Sequence, residues 1–91
     1  MKSTTRTKTQ GGWKSEDRIK GTLVSTTVSY DDFPDVIKEV LHENDHVVAT
    51  REANYKTHIT KYKNRASQEI SAKEFYKLSK QLTERAENKE R

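Results

Sequence analysis

Large apolar side chains are too scarce in this chain to build more than one small core. Aliphatic and aromatic residues together supply 30% of the 91 positions. A typical globular domain has about 45–50% when glycine is counted in. A chain of this length makes one domain at most, and a core this lean leaves only a few kcal/mol of stability unless a second subunit adds to it.

The spacing of those apolar residues gives the expected elements. From Gly21 to Tyr30 the chain is rich in β-branched residues, and Val24, Val28 and Tyr30 share one parity, which predicts a strand. Val36, Ile37, Val40 and Leu41 recur at helical spacing after Phe33-Pro34, against a polar set of Asp35, Lys38, Glu39 and Glu43. That pattern predicts an amphipathic helix ending at Glu43-Asn44-Asp45, with Asp31, Asp32 and Asp35 complementing its N-terminal dipole. His46–Glu52 and Tyr55–Asn64 read as two further strands, joined by a tight turn at Ala53-Asn54. That turn pairs Val48 with Ile59 and Arg51 with Lys56. Ser71 followed by Glu74 has the spacing of a capping box. Ile70 before the cap and Phe75 after it are placed as a hydrophobic staple, and Phe75, Leu78 and Leu82 continue the stripe to about Glu87.

Residues 1–18 offer nothing comparable. Thr4, Thr5, Thr7 and Thr9 alternate with cations, Gly11-Gly12 suggests flexibility, and Trp13 is the one large apolar group. This stretch is expected to be a flexible basic arm. The expected fold is therefore α+β: a three-stranded antiparallel sheet with two helices on one face, in the order strand, helix, strand, strand, helix. The domain spans residues 19–86, between the disordered arm and a frayed charged tail at 87–91.

Charge is sorted into blocks. Residues 1–20 carry Lys2, Arg6, Lys8, Lys14, Arg18 and Lys20 against Glu16 and Asp17. Residues 21–50 carry Asp31, Asp32, Asp35, Glu39, Glu43 and Asp45 against Lys38 alone. Residues 51–65 are basic again, with Arg51, Lys56, Lys61, Lys63 and Arg65 against Glu52. The net charge of +4 conceals two cationic segments flanking an anionic one, and binding answers to local potential rather than to the total.

The second basic block coincides with aromatic residues. Arg51, Tyr55, Lys56, His58, Lys61, Tyr62, Lys63 and Arg65 lie within fifteen residues. Cations that reach phosphates beside rings that stack on bases are the ingredients of nucleic-acid binding. In the expected register Arg51, Lys56, His58 and Tyr62 share the uncovered sheet face. These eight residues are the candidate site, and DNA or RNA is the favoured partner of a small accessory or regulatory protein. The alternative is a protein-binding adaptor or inhibitor, in the style of small bacterial or phage proteins, that uses the acidic helix or a sheet edge. A homodimer through the C-terminal helix would enlarge the core and double the basic surface.

Other chemistries find little support. The absence of cysteine removes disulfides and thiolate catalysis. His42, His46 and His58 lack zinc-site spacing, and the acidic block lacks the alternation and central glycine of a calcium loop. Gly11-Gly12 has no phosphate-loop context. The expectation is a non-enzymatic protein without metal or cofactor. No apolar stretch is long enough for a membrane span, and no secretory signal follows the basic start, so a cytoplasmic location is expected.

Overall fold

Two pairs of residues with positive φ explain most of the architecture. Lys20 and Gly21 have φ of 51° and 81°, and Asn44 and Asp45 have φ of 53° and 67°. Two consecutive left-handed residues make the type I′ turn, whose twist matches that of the antiparallel strands it joins. Each pair therefore closes a tight hairpin. In the computed structural model, which describes residues 2–88, these turns belong to one continuous meander. Its strands are β1 (Lys2–Thr9), β2 (Gly12–Ile19), β3 (Thr22–Tyr30), β4 (Val36–Glu43), β5 (His46–Asn54) and β6 (Ile59–Asn64). All neighbours pair antiparallel in the order of the chain. The helix α1 (Ala72–Glu87) lies across one face. The smallest dimension of the molecule, 19 Å, accommodates one sheet and one helix layer.

This corrects the expected fold: among the described residues there are six strands and one helix. Val36–Glu43, expected as helix, is β4. Its apolar residues at 36, 37, 40 and 41 fit a helical stripe, but they also place two on each face of a strand. Three of the four are β-branched, and Asn44-Asp45 turns the chain straight back into β5. The acidic block is therefore not a helix face: Asp31, Asp32 and Asp35 lie in the β3–β4 connection, and Glu39 and Glu43 lie in β4.

The segment 1–18, expected as a disordered arm, instead holds β1 and, up to residue 18, most of β2 among its described residues. β1 is exposed along nearly its whole length, so no burial pattern announces it. It is held by its ladder with β2 and by cross-strand polar pairs such as Thr4, whose hydroxyl donates to Asp17 at 2.7 Å. The helix forms where the capping box places it. The Ser71 hydroxyl accepts from the Glu74 amide at 3.1 Å. Of the tail 87–91, expected to fray, Glu87 ends α1 and Asn88 caps it, and residues 89–91 lie outside the described residues.

The core fills the gap between helix and sheet. Leu41 and Ala49 from the sheet meet Phe75 and Leu82 from α1, with Val48, Tyr62, Ile70 and Leu78 packed around them. A smaller cluster joins Ile19 and Val24 to Ala86. Two bulges help so few residues suffice. The register of β2–β3 shifts between Asp17 and Arg18, and that of β4–β5 between Leu41 and His42. Each leaves one extra residue on the longer strand, Val24 and Val48 respectively. A bulge directs two successive side chains toward one face. Val24 and Val48 thereby reach the helix side beside Ser25 and Ala49. At the far end of α1, the ammonium of Lys20 donates to the carbonyl of Glu87, joining the β2–β3 turn to the last helical turn.

Candidate functional site

The eight candidate residues divide among four places. Arg51 and Tyr62 sit directly opposite each other across β5 and β6. With Ala49 and Thr60 they share one face, as strict alternation requires, but α1 packs against that face. The Tyr62 ring centre is 5.3 Å from that of Phe75 and 6.0 Å from that of Tyr76. Arg51 Nε donates to Glu39 Oε1 at 2.9 Å. Burial pulls the Arg51 pKa down. The hydrogen bond and charge of Glu39 outweigh it, so the guanidinium is held more firmly protonated than usual. Neither Arg51 nor Tyr62 belongs to the uncovered sheet face, and Lys56 does not oppose Arg51.

Tyr55, Lys56 and His58 occupy the β5–β6 turn, which spans four residues rather than two. The Asn54 side-chain oxygen accepts from the amides of Lys56 and Thr57 at 3.0 and 3.1 Å, and His58 adopts φ of 62°. This side-chain cap replaces the tight turn expected at Ala53-Asn54. The longer turn moves the register, so that Asn54 pairs with Ile59. Arg65 follows the other end of β6, in a loop held by Asn64, whose side-chain oxygen accepts from the amides of Ala66 and Gln68.

Lys61 and Lys63 alternate with Tyr62 and therefore project from the face opposite the helix. That face carries two further lysines that sequence reasoning did not assign to the site. The pairings place Lys14, Val28, Lys38, Glu52 and Lys61 in one row across five strands. Glu16, Thr26, Val40, Thr50 and Lys63 form the next row. The signal for Lys14 and Lys38 is their parity, which becomes visible only once residues 12–19 and 36–43 are assigned to strands.

The two faces treat their cations differently. On the helix side of the sheet Lys2 pairs with Asp17, and Arg51 pairs with Glu39. Lys8 pairs with Asp31 in the β3–β4 connection, and the Arg6 guanidinium lies 4.6 Å from the Trp13 ring centre. On the open face Lys14 and Arg18 both lean toward Glu16, at 3.8 and 3.4 Å. Among the described residues Lys38, Lys61 and Lys63 form no ion pair. All three are exposed. Glu52 stands between Lys38 and Lys61 in their row and, among the described residues, is itself without an ion pair.

The open face also holds His42, whose Nε2 lies 2.8 Å from the Thr26 hydroxyl. Burial disfavours the imidazolium and Lys14 adds to that, while Glu16 and Asp45 act in the opposite direction. The net effect is a pKa below the ordinary value of 6.5. His42 is thus neutral at pH 7 and adds no charge to the lysines. Among the described residues no helix is long and apolar enough to cross a membrane. No protein-family model, curated protein or solved structure gives a significant match to the chain.

Proposed function

We propose that this is a small non-enzymatic binding protein that lays a nucleic-acid strand, DNA or RNA, across the sheet face opposite α1. The observation that carries this reading is the trio of exposed lysines without ion pairs, Lys38, Lys61 and Lys63, on one open face with Lys14 at its far side. Unneutralised ammonium groups held on a rigid sheet raise the local potential without help from net charge. Lys61 and Lys63 are two residues apart on one strand, about 7 Å along the backbone, so each can meet a different phosphate. Valines and threonines between the lysine positions give a floor on which bases can rest, and Tyr30, on this face at the end of β3, offers a ring for stacking. Lys56 and Arg65 flank the two ends of β6 and extend the same edge.

The test is fluorescence anisotropy with single-stranded DNA and RNA oligonucleotides at several salt concentrations. Four phosphate contacts on a single strand give a slope of about −3 in log affinity against log salt. Lys61→Glu with Lys63→Glu should weaken binding at least tenfold, whereas Arg51→Gln, on the other face, should leave it unchanged. Binding insensitive to salt, or absent from the unmodified chain, overturns the reading.

A further inference from the structure

We infer that β1 accepts an extended acidic segment of a partner protein as a seventh strand. The two edges of the sheet are finished differently. Along the outer edge of β6 the chain folds back. The Ile70 amide donates to the Tyr62 carbonyl and the Asn64 amide donates to the Gln68 carbonyl, each at 2.9 Å, and Lys63 forms a bridge with Glu69. Among the described residues the outer edge of β1 has no such cover. Its eight residues pair with β2 in an unbroken register, without bulge or proline. Every second residue of such an edge turns its N–H and C=O outward, a template for another strand.

The side chains of β1 say which strand fits. Lys2, Arg6 and Lys8 share one parity and hence one face of the sheet, while Ser3, Thr5, Thr7 and Thr9 occupy the other. A second copy of this chain is a poor occupant. In an antiparallel two-fold pairing of β1 with itself, opposed residues have the same parity. Each register with five or more paired residues then sets Lys2 against Arg6 or Lys8, Arg6 against itself, or Arg6 against Lys8. Like charges directly opposite one another disfavour pairing. An antiparallel segment with carboxylates at n, n+2 and n+6 instead meets Lys8, Arg6 and Lys2 in turn. Arg6 is the free member of the set, since its guanidinium lies over Trp13 and forms no ion pair among the described residues. Lys8 would exchange an exposed pairing with Asp31, and Lys2 a long contact of 3.7 Å with an Asp17 that already accepts from Thr4 and Ser25. Recognition by strand addition draws affinity from backbone bonds and selectivity from alternate side chains, and β1 supplies both.

The probes are two synthetic nine-residue peptides on a common threonine and valine background. One carries glutamate at n, n+2 and n+6, and the other carries lysine at those positions. Binding is followed on the full chain by amide chemical shifts and hydrogen exchange. The acidic peptide should shift and protect residues of β1, and the basic peptide should bind at least tenfold more weakly. Arg6→Glu with Lys8→Glu should reverse the preference. If that variant does not fold, the comparison of the two peptides on the unmodified chain decides alone. Equal binding of both peptides, binding of neither, or changes centred away from β1 overturns the inference. So does protection of β1 by a single-stranded oligonucleotide, or a dimer in sedimentation whose interface maps to β1. Oligonucleotide binding at Lys61 and Lys63 is read separately on the opposite face, so either idea can fail without the other.

Discussion

The Arg51 guanidinium and the Glu39 carboxylate meet across β5 and β4 at 2.9 Å, with the two side chains 20% and 21% exposed. Each neutralises the other beside the ring cluster of Tyr62, Phe75 and Tyr76. One arginine of the second basic block is thereby committed to holding strand to strand rather than to meeting a ligand.

Removing one member of that pair should cost stability without touching oligonucleotide binding. Glu39→Gln leaves a partly buried guanidinium without its charged acceptor, and about 1–2 kcal/mol of destabilisation is expected in urea unfolding. Arg51→Met should cost a similar amount. The double variant should lose less than the sum, since the second change removes a group already stranded by the first.

Glu52 is the one carboxylate in the lysine row of the open face between Lys38 and Lys61. It repels a phosphate backbone laid over those lysines. Glu52→Gln should therefore tighten single-strand binding by about threefold to tenfold at low salt, with the gain shrinking as salt rises. An unchanged or weaker affinity in anisotropy titrations would place the oligonucleotide elsewhere.

How much of this was legible depends on whether the signal was local. Ser71, Glu74 and Phe75 announced their helix because a capping box is complete within four residues. The β4 segment was not legible, since Val36, Ile37, Val40 and Leu41 satisfy helix and strand alike. The deciding information was Asn44-Asp45 read as a hairpin turn. β1 carried no apolar signal because it buries nothing, and its strand depends on β2. Of the candidate residues, Lys61 and Lys63 stand out by local composition, and the fold places both exposed on the face opposite the helix. Arg51 was misplaced because Asn54 caps a four-residue turn, which shifted its partner from Lys56 to Tyr62. The alternation that grouped Arg51 with Tyr62 was right. It could not say which face the helix would cover, because that choice rests on Val48 joining the core through a bulge.

His42 gives the fold a dependence on pH that can be assigned to one residue. Its folded pKa lies below 6.5, chiefly through burial. The unfolded chain therefore takes up the proton first, and stability rises with pH across the window just below 6.5 and is fully present above it. Thermal unfolding between pH 7.5 and 5.5 should show the midpoint falling as pH drops. His42→Gln should flatten that slope.

Gly11 and Gly12 look alike in the sequence and should behave oppositely when mutated. A Cβ on Gly12 would lie 1.9 Å from the Ser29 carbonyl oxygen, an atom of the neighbouring strand that cannot swing away. A Cβ on Gly11 meets nothing within 4 Å. The Gly11 carbonyl already serves as acceptor for the Asp31 amide at 2.9 Å, which an alanine would keep. Gly12→Ala must push β2 away from β3 at the end that carries Trp13, and about 1–3 kcal/mol of destabilisation is expected. Gly11→Ala should stay within about 0.5 kcal/mol of the unmodified chain. Amide exchange resolves the difference by position. In Gly12→Ala the β1–β2 hairpin should exchange faster, while Leu41, Ala49 and Phe75 beneath the helix keep their protection. Equal exchange in the two variants would mean that the close approach of Gly12 to Ser29 does not hold in solution.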